Sequence, residues 1–226
     1  PRRTPCSVLR DTEGQVRLAL VGFGRWAAKI VKSLPPGVEI AAVVTRRLDC
    51  PFKRCADVES LPFDSLDGVI IANEASKHAN AVWTCAGAKP GVPLFVEKPL
   101  LVQGVSRYDL TRCQHDTSIL LVDHTQLFNS NLLALKTALD GVPPAHIRWT
   151  DRGVGPIRSD CNPLWDYGPH GVAVALYLSG FPFKGGVHVR DAWLDKSAGG
   201  CTIDFELQLG VRTVATLSVG NNAMEK

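Results

Sequence analysis

The first half of the chain alternates short apolar runs, rich in β-branched residues, with longer stretches of helical character. This order is typical of a parallel sheet whose strands are connected by helices. The segment 47–63 interrupts the alternation, because it carries two prolines and little periodicity, and we expect a degenerate helix or a loop there. The pattern predicts strands at 16–21, 38–45, 68–72, 93–96 and 118–122, and helices at 25–34, 76–88, 103–115 and 130–139.

A different pattern begins after residue 144. It starts with a predicted strand at 145–150 and a loop at 152–163, followed by a predicted helix at 164–178, where apolar residues recur at helical spacing despite Pro169. Three alternating runs follow at 187–194, 201–209 and 211–219, separated by a loop at 196–200 and a tight turn at 209–211. The second half therefore predicts an antiparallel sheet backed by a helix.

The first predicted strand leads into the glycine turn Gly22-Phe-Gly24-Arg-Trp-Ala27. In a dinucleotide-binding turn the first glycine permits the bend and the second lets the backbone approach a pyrophosphate, while a small third residue keeps the helix close to the strand. The helix N-terminus then offers amide donors to the phosphates. We therefore predict an α/β chain, in which a Rossmann-type, doubly wound parallel sheet at 1–123 precedes a small α+β domain with a mostly antiparallel open sheet at 124–226.

Two further motifs carry groups that can exchange protons. The first, Glu97-Lys98-Pro99, ends an apolar run and would place Lys98 at the carboxyl edge of the sheet, where such sheets bind ligands. Burial beside a cationic nicotinamide would lower the lysine pKa toward neutrality. The second places Asp166 four residues before His170, so that on one helical face the carboxylate would hold the imidazole tautomer. These motifs together indicate a nicotinamide-dependent oxidoreductase.

The ordered set resembles the glucose–fructose oxidoreductase, inositol dehydrogenase and MocA family of NAD(P)-dependent dehydrogenases. That family carries G-x-G-x-x-[GA], E-K-P and D-x-x-x-H in this order, and the segments 70–78 and 122–129 also resemble its sequence. The resemblance implies hydride transfer between the nicotinamide and a secondary alcohol or ketone of a sugar, polyol or sugar nucleotide. It implies that His170 contacts the reacting oxygen, that Lys98 assists or shares its proton, and that Asp166 orients His170.

The second predicted strand ends in Thr45-Arg46-Arg47, where NAD-binding folds usually carry an acidic residue. Arginine makes bidentate contacts with phosphate and offers no acceptor to a free 2′-hydroxyl, so we expect NADP rather than NAD. The alternative is that both arginines are solvated surface charges. The expected cofactor-binding residues are Gly22, Phe23, Gly24, Arg25, Trp26, Ala27, Thr45, Arg46, Arg47, Asn73, Glu74, His78, Glu97 and Lys98.

Polar and aromatic residues are dense around Asp166. The resemblance implies that this region grips the substrate, with Trp165 stacking on an apolar ring face and arginines binding a carboxylate or diphosphate. The expected substrate-binding residues are His124, Arg152, Arg158, Asn162, Trp165 and Tyr167, with Gln126 and Asn129 as weaker candidates. One departure from the family is Asn73-Glu74, where a Thr-Pro pair is common.

Composition argues against several classes of function. A net charge of +3 without a dense Lys/Arg stripe argues against nucleic acid binding. No apolar run approaches the roughly 20 residues of a membrane helix. The seven cysteines lack metal-site spacing, so we expect no metal and reduced thiols in a cytoplasmic protein. The N-terminal residues lack the apolar core of a secretion signal, and the missing initiator methionine suggests that a few residues have been lost.

The remaining alternatives differ in chemistry. No tyrosine is followed four residues later by lysine, which argues against a short-chain dehydrogenase, and Arg46-Arg47 argue against a methyltransferase, which needs an acidic residue there. A catalytically silent NADP-binding sensor or assembly protein of the same fold stays open. The family's last strands are absent, so the second domain is either naturally short or part of a fragment. The resemblance also implies a homo-oligomer formed through the C-terminal sheet.

Overall fold

The structure is a computed structural model, and it describes residues 15–102, 118–153, 158, 160–182, 185–196 and 200–221. The helix predicted at 103–115 lies outside these residues, as do parts of the loops predicted at 152–163 and 196–200. None of the helices within the described ranges has the length and apolar character needed to cross a membrane. The same ranges contain no cluster of three side chains suited to binding a metal ion.

The first sheet has six parallel strands in the order β3-β2-β1-β4-β5-β6. Its order reverses direction at β1, so β1 and β4 flank the switch point where open α/β sheets bind ligands. The strands are β1 (Val16–Val21), β2 (Val38–Val44), β3 (Arg54–Cys55), β4 (Gly68–Ile71), β5 (Leu94–Glu97) and β6 (Leu120–Asp123).

Helices α1 (Arg25–Ser33) and α2 (His78–Ala88) cover the two faces of this sheet. Alternate strand residues point to opposite faces, so Leu20 packs in the cluster that contains Ala27 of α1, whereas Val21 packs in the cluster that contains Val82 of α2. This burial on both faces explains why the central strands consist of continuous apolar runs.

The second sheet has four strands in the order β7-β10-β9-β8. The β7–β10 pair is parallel and the other two pairs are antiparallel. Its elements are α3 (Ser130–Ala138), β7 (His146–Arg152), α4 (Pro163–Asp166), α5 (Gly168–Ser179), β8 (Val187–Asp195), β9 (Thr202–Leu209) and β10 (Thr213–Gly220).

Helix α5 packs closely on one face of the second sheet. A Cβ atom at Gly171 would lie 2.6 Å from side-chain atoms of both Leu217 and Trp149, so only glycine allows this approach. Val174 and Leu178 continue the contact into the core of this half. The close packing fixes the position of His170, which precedes Gly171 on the same helix.

Two elements differ from the sequence-based expectations. The segment 47–63 contains the short strand β3, which adds a sixth strand beside β2. The helix predicted at 164–178 is divided at Tyr167 into α4 and α5. Pro169 has no N–H with which to continue the helical ladder, which accounts for a break just before it.

Candidate cofactor and active site

The glycine turn after β1 has the geometry that its sequence predicts. Gly22 has φ of +92°, and a Cβ atom there would lie 2.6 Å from the Cα atom of Asn73 and 2.7 Å from its backbone nitrogen. Gly24 is the N-cap of α1, and the space that its Cβ atom would occupy is open. The first turn of α1 has neither an acidic residue nor a side-chain cap, so among the described residues its amide groups face this open space without a protein partner.

A cleft of about 830 Å³ adjoins the glycine turn at the switch point. It extends from the turn to the loops that follow β2 and β4. Its lining includes Gly22, Phe23, Gly24, Thr45, Arg46, Arg47, Asn73, Glu74, Lys77, Arg158 and Asp160. The turn, the uncapped helix end and the cleft together fit a dinucleotide, with its pyrophosphate at Gly24.

Two arginines follow β2, and their surroundings differ. Arg47 Nε donates to Asp49 Oδ1 at 2.9 Å and Nη2 donates to the second carboxylate oxygen, while the guanidinium lies 5.9 Å from the centre of the Phe23 ring. Asp49 raises the pKa of Arg47, and Arg47 lowers the pKa of Asp49. Arg46 lines the same cleft. A phosphate binding here would therefore compete with Asp49 for Arg47.

The loop after β4 contributes Asn73 and Glu74 to the cleft, and His78 lies beneath it. Asn73 Oδ1 is buried and has no hydrogen-bond partner among the described residues, as expected of a group that meets a ligand. Glu74 instead forms an ion pair with Lys77 at 2.5 Å. His78 is 2% exposed, and its ring nitrogens lie 2.7 Å from Pro99 O and 3.2 Å from Asn73 O.

His78 thus connects the loops that follow β4 and β5. Burial lowers its pKa, so the ring is neutral near pH 7 and donates from only one nitrogen at a time. Both nitrogens face backbone carbonyl groups, so the neutral ring donates to Pro99 O or to Asn73 O, depending on the tautomer.

Lys98 and Asp166 meet although they lie in different halves of the chain. Lys98 Nζ donates to Asp166 O at 2.6 Å and to Asp166 Oδ1 at 2.9 Å. Arg158 Nη1 donates to the same carboxylate oxygen at 3.3 Å and also pairs with Asp160. Asp160 accepts in turn from the backbone nitrogen of Ala75 at 3.2 Å. This network places the second and third motifs at one pocket.

His170 lines the same pocket, but it does not form the hydrogen bond with Asp166 that the i, i+4 spacing predicts. Its Nδ1 atom is buried without a partner among the described residues, whereas the Asp166 carboxylate accepts from Lys98 and Arg158. The break at Tyr167 explains the difference, because the two residues belong to separate helices. Burial lowers the pKa of His170 to about 4, with Lys98 and His124 acting in the same direction. The imidazole is therefore neutral near pH 7.

This pocket, called the redox pocket after the function that the sequence predicts, has a volume of about 390 Å³ and contains two carboxyl groups side by side. Glu97 and Asp123 are register partners at the ends of β5 and β6, each is 8% exposed, and both line the pocket. Trp26 Nε1 also donates to Glu97 Oε1. Burial, and next the charge of Asp123, raises the pKa of Glu97 to about 7.

Asp123 was not among the expected site residues. The sequence could have indicated Asp123 because it ends a strand, just as Glu97 ends the neighbouring strand. Parallel neighbours bring such ends together, so the pairing of β5 with β6 was the missing information.

The expected substrate-binding residues separate into several environments. Arg158 and His124 lie near Lys98, and the charge of Lys98 contributes to lowering the pKa of His124 after burial. Asn162 caps α4 by accepting from the Trp165 backbone nitrogen at 3.3 Å. Trp165 lines an apolar cavity of about 620 Å³ together with His124 and Phe205. The Tyr167 hydroxyl lies beside Gly153, 3.4 Å from the position that a Cβ atom of that residue would occupy.

Arg152 does not lie where the sequence analysis expected it. Its exposed guanidinium binds Ser218 and Asp204 on the face of the second sheet opposite α5, because residue alternation along β7 directs it there. The preceding residue, Asp151, points the other way and is half-buried near Lys98 and Asp166. Burial raises the pKa of Asp151, and Lys98 lowers it.

No protein-family model and no curated protein matches the chain. Solved structures do resemble it. An inferred oxidoreductase from Magnetospirillum magnetotacticum is 27% identical, with a TM-score of 0.71 over 94% of this chain and 72% of that one. An NAD-binding protein from Listeria innocua is 18% identical, with a TM-score of 0.73 over 94% and 68%. Scyllo-inositol dehydrogenase from Lactobacillus casei, solved with NAD(H) and scyllo-inositol, is 14% identical, with a TM-score of 0.70 over 92% and 70%.

The fold consists of a Rossmann-type domain and a smaller mixed sheet, as in the structurally similar oxidoreductases, and it brings the three motifs together at one site. The solved structures that share this fold are oxidoreductases of the glucose–fructose oxidoreductase, inositol dehydrogenase and MocA type.

Proposed function

We propose that this chain is an NADP-dependent oxidoreductase that interconverts a secondary alcohol and a ketone of a sugar, polyol or sugar nucleotide. The observation that carries the proposal is the Lys98–Asp166 ion pair, which joins the carboxyl end of β5 to the second half of the chain beside neutral His170. A bound nicotinamide would supply the hydride acceptor or donor. The chain's own residues handle the proton that accompanies it.

His170 is suited to accept a proton from a substrate hydroxyl, because its imidazole is neutral and partly buried. Lys98 is held by Asp166 and lies in the same pocket, so its ammonium group stabilises negative charge that develops on the substrate oxygen. Asp166 acts on Lys98 and Arg158 by fixing their positions. Asp151 adds a second carboxyl group near Lys98.

The choice of NADP rests on Arg46 and Arg47, which line the cleft after β2. Asp49 compensates part of the charge of Arg47, so Arg46 is the more available partner for a 2′-phosphate. The choice of substrate rests on the polar residues of the redox pocket, including Gln126 and Arg158, and on scyllo-inositol bound by one structurally similar dehydrogenase.

We also propose self-association through the second sheet. Its edge strand β8 exposes Val189, Trp193 and Leu194, and such apolar edges favour pairing with another chain. Sedimentation equilibrium of the wild type and of a Val189→Lys variant tests this, with the dimer expected only for the wild type.

The activity is tested by mixing the protein with NADP and a panel of polyols, sugars and sugar nucleotides, while nicotinamide absorbance is followed. The proposal of an enzyme is supported if the wild type turns over a substrate, Lys98→Ala loses this turnover and Lys32→Ala keeps it. Lys32 is an exposed lysine on α1 and serves as the control. Tight NADP binding without turnover on any substrate would instead favour the silent sensor or assembly protein.

A further inference from the structure

The redox pocket holds two acids in a position that the proposed chemistry does not use. Glu97 and Asp123 end neighbouring parallel strands as register partners, so the sheet itself places the two carboxyl groups side by side. Each is 8% exposed, and both line the redox pocket. Two adjacent buried carboxylates repel each other, so the pair is favoured when one of the two carries a proton.

Within the part of the chain that the structure describes, no cation pairs with these two acids alone. Lys98 lowers the pKa of Glu97 only as the last of several influences, and its Nζ atom donates to both the backbone and the carboxylate of Asp166. From α1, Trp26 contributes a neutral indole donor. The other described titratable groups that line the pocket are His78 on α2, Arg158, and His170 on α5. His124, Asp151 and Asp166 lie next to this lining, close to Lys98.

Those other groups keep their charge near neutral pH. Burial lowers the pKa of His78, His124 and His170, so all three rings are neutral above about pH 6.5. Arg158 is cationic and already paired with Asp160. Burial also raises the pKa of Asp151, but this carboxyl group lies near Lys98 and Asp166 and outside the pocket lining. Within the lining, a change in protonation between pH 6 and pH 8 therefore falls on the carboxyl pair, and the pKa of Glu97, about 7, agrees with this.

We propose that Glu97 and Asp123 share one proton and set the charge of the nicotinamide pocket, so that the oxidised cofactor binds with release of that proton and the reduced cofactor binds without release. The proposal rests on the proposed function. The oxidised ring is cationic and the reduced ring is neutral, so the doubly ionised pair is favoured only beside the oxidised ring. The pair thus determines which oxidation state the site prefers at a given pH.

The direction in which cofactor affinity changes with pH follows from the linkage between cofactor binding and proton release. Binding that releases a proton becomes tighter as the pH rises, by at most about tenfold per pH unit for one proton. The affinity ratio of NADP⁺ to NADPH should therefore increase between about pH 6 and pH 8. The 2′-phosphate also titrates near this range, but both cofactor forms carry it, so its effect cancels in the ratio.

The test is isothermal titration of NADP⁺ and NADPH in two buffers of different ionisation enthalpy, from pH 6 to pH 8. Near pH 7 the wild type should release about half a proton more per NADP⁺ than per NADPH, and this difference should grow toward one proton at pH 6. Asp123→Asn and Glu97→Gln should each abolish this difference and make the affinity ratio independent of pH. Asp67→Asn, an exposed acid that accepts from the Arg17 backbone before β4, is the matched control and should behave as the wild type.

Trp26→Phe gives an independent readout that leaves both acids in place. The indole hydrogen bond lowers the pKa of Glu97, so its loss should move the midpoint of proton release to higher pH. Equal proton release by the wild type on binding NADP⁺ and NADPH would overturn the inference, and so would a difference that persists in both acid variants. Failure of the wild type to bind either cofactor would instead overturn the proposed function.

Discussion

Lys98 Nζ lies 2.9 Å from Asp166 Oδ1, and this ion pair joins the end of a strand in the first sheet to a helix of the second half. Both side chains are largely buried, with 20% and 16% of their surface exposed. Breaking a pair of this kind from one side leaves an uncompensated charge in the pocket, which is costlier than losing an exposed ion pair. The two halves of the site are therefore held in a fixed relationship by residues that we propose take part in its chemistry.

Replacing either proton-handling residue should slow catalysis. Lys98→Ala and His170→Ala are each expected to lower kcat by about 100-fold or more, the usual contribution of general acid–base groups. Cofactor affinity should change much less, because neither side chain lies along the cleft beside the glycine turn. Steady-state kinetics with parallel fluorescence titration of NADPH measure both quantities, and near-wild-type turnover of both variants would contradict the assignment.

The pair Arg46 and Arg47 should determine cofactor preference. We expect NADPH to bind more tightly than NADH, and the double variant to alanine to remove most of that preference while leaving NADH binding nearly unchanged. Arg46→Ala alone should have the larger effect, since Asp49 already engages Arg47. The preference should also shrink at high salt, which screens exposed charges.

Nucleotide fluorescence titrations at low and high salt measure this preference. Lys53→Ala, an exposed cation upstream of β3, provides a charge-matched control. Tighter binding of NADH by the wild type would reverse the assignment and indicate Asp49 as the acceptor for a ribose hydroxyl.

His170 should titrate far below an ordinary histidine. Its pKa of about 4 arises mainly from burial and secondly from Lys98, so Lys98→Ala should raise it. A group with a depressed basic pKa favours the folded state at high pH, so this contribution to stability is lost as the pH falls from about 6.5 toward 4. NMR titration of the imidazole resonances reports the value directly.

Substitution by alanine should have different effects on stability and on cofactor binding at the two glycines of the turn. Gly22→Ala forces a Cβ atom onto the Asn73 backbone at positive φ, and we expect a destabilisation of about 2–4 kcal/mol from overpacking and strain. Gly24→Ala meets open space and should fold normally, but its methyl group would occupy the place proposed for the pyrophosphate. Urea unfolding and cofactor titration together separate the effects, and unchanged NADPH binding by Gly24→Ala would contradict that placement.

The sequence predicted the parallel sheet well because its strands are buried on both faces and therefore appear as continuous apolar runs. It missed β3, because two residues cannot produce a recognisable period. It also predicted one helix across Tyr167, since apolar spacing persists on both sides of a break that Pro169 imposes.

The site was less completely predictable, and the errors share a cause. Choosing Arg152 and not Asp151 depended on which face of β7 each residue occupies, and a one-residue shift exchanges the two faces. That Glu97 and Asp123 lie side by side could not be predicted without knowing that β5 pairs with β6 in this register. Motifs locate a side chain along the chain, whereas its neighbours are set by tertiary register.

The pairing of β7 with β10 has a consequence for folding. β7 ends at Arg152, yet its partner in the sheet runs from Thr213 to Gly220, so this contact closes a long loop. Pairings between distant segments form slowly, because the entropy of loop closure is lost before the contact is gained. During synthesis, β7 and the acid that it directs toward Lys98 must therefore wait until β10 has left the ribosome. The nucleotide-binding half can be complete well before the pocket beside it.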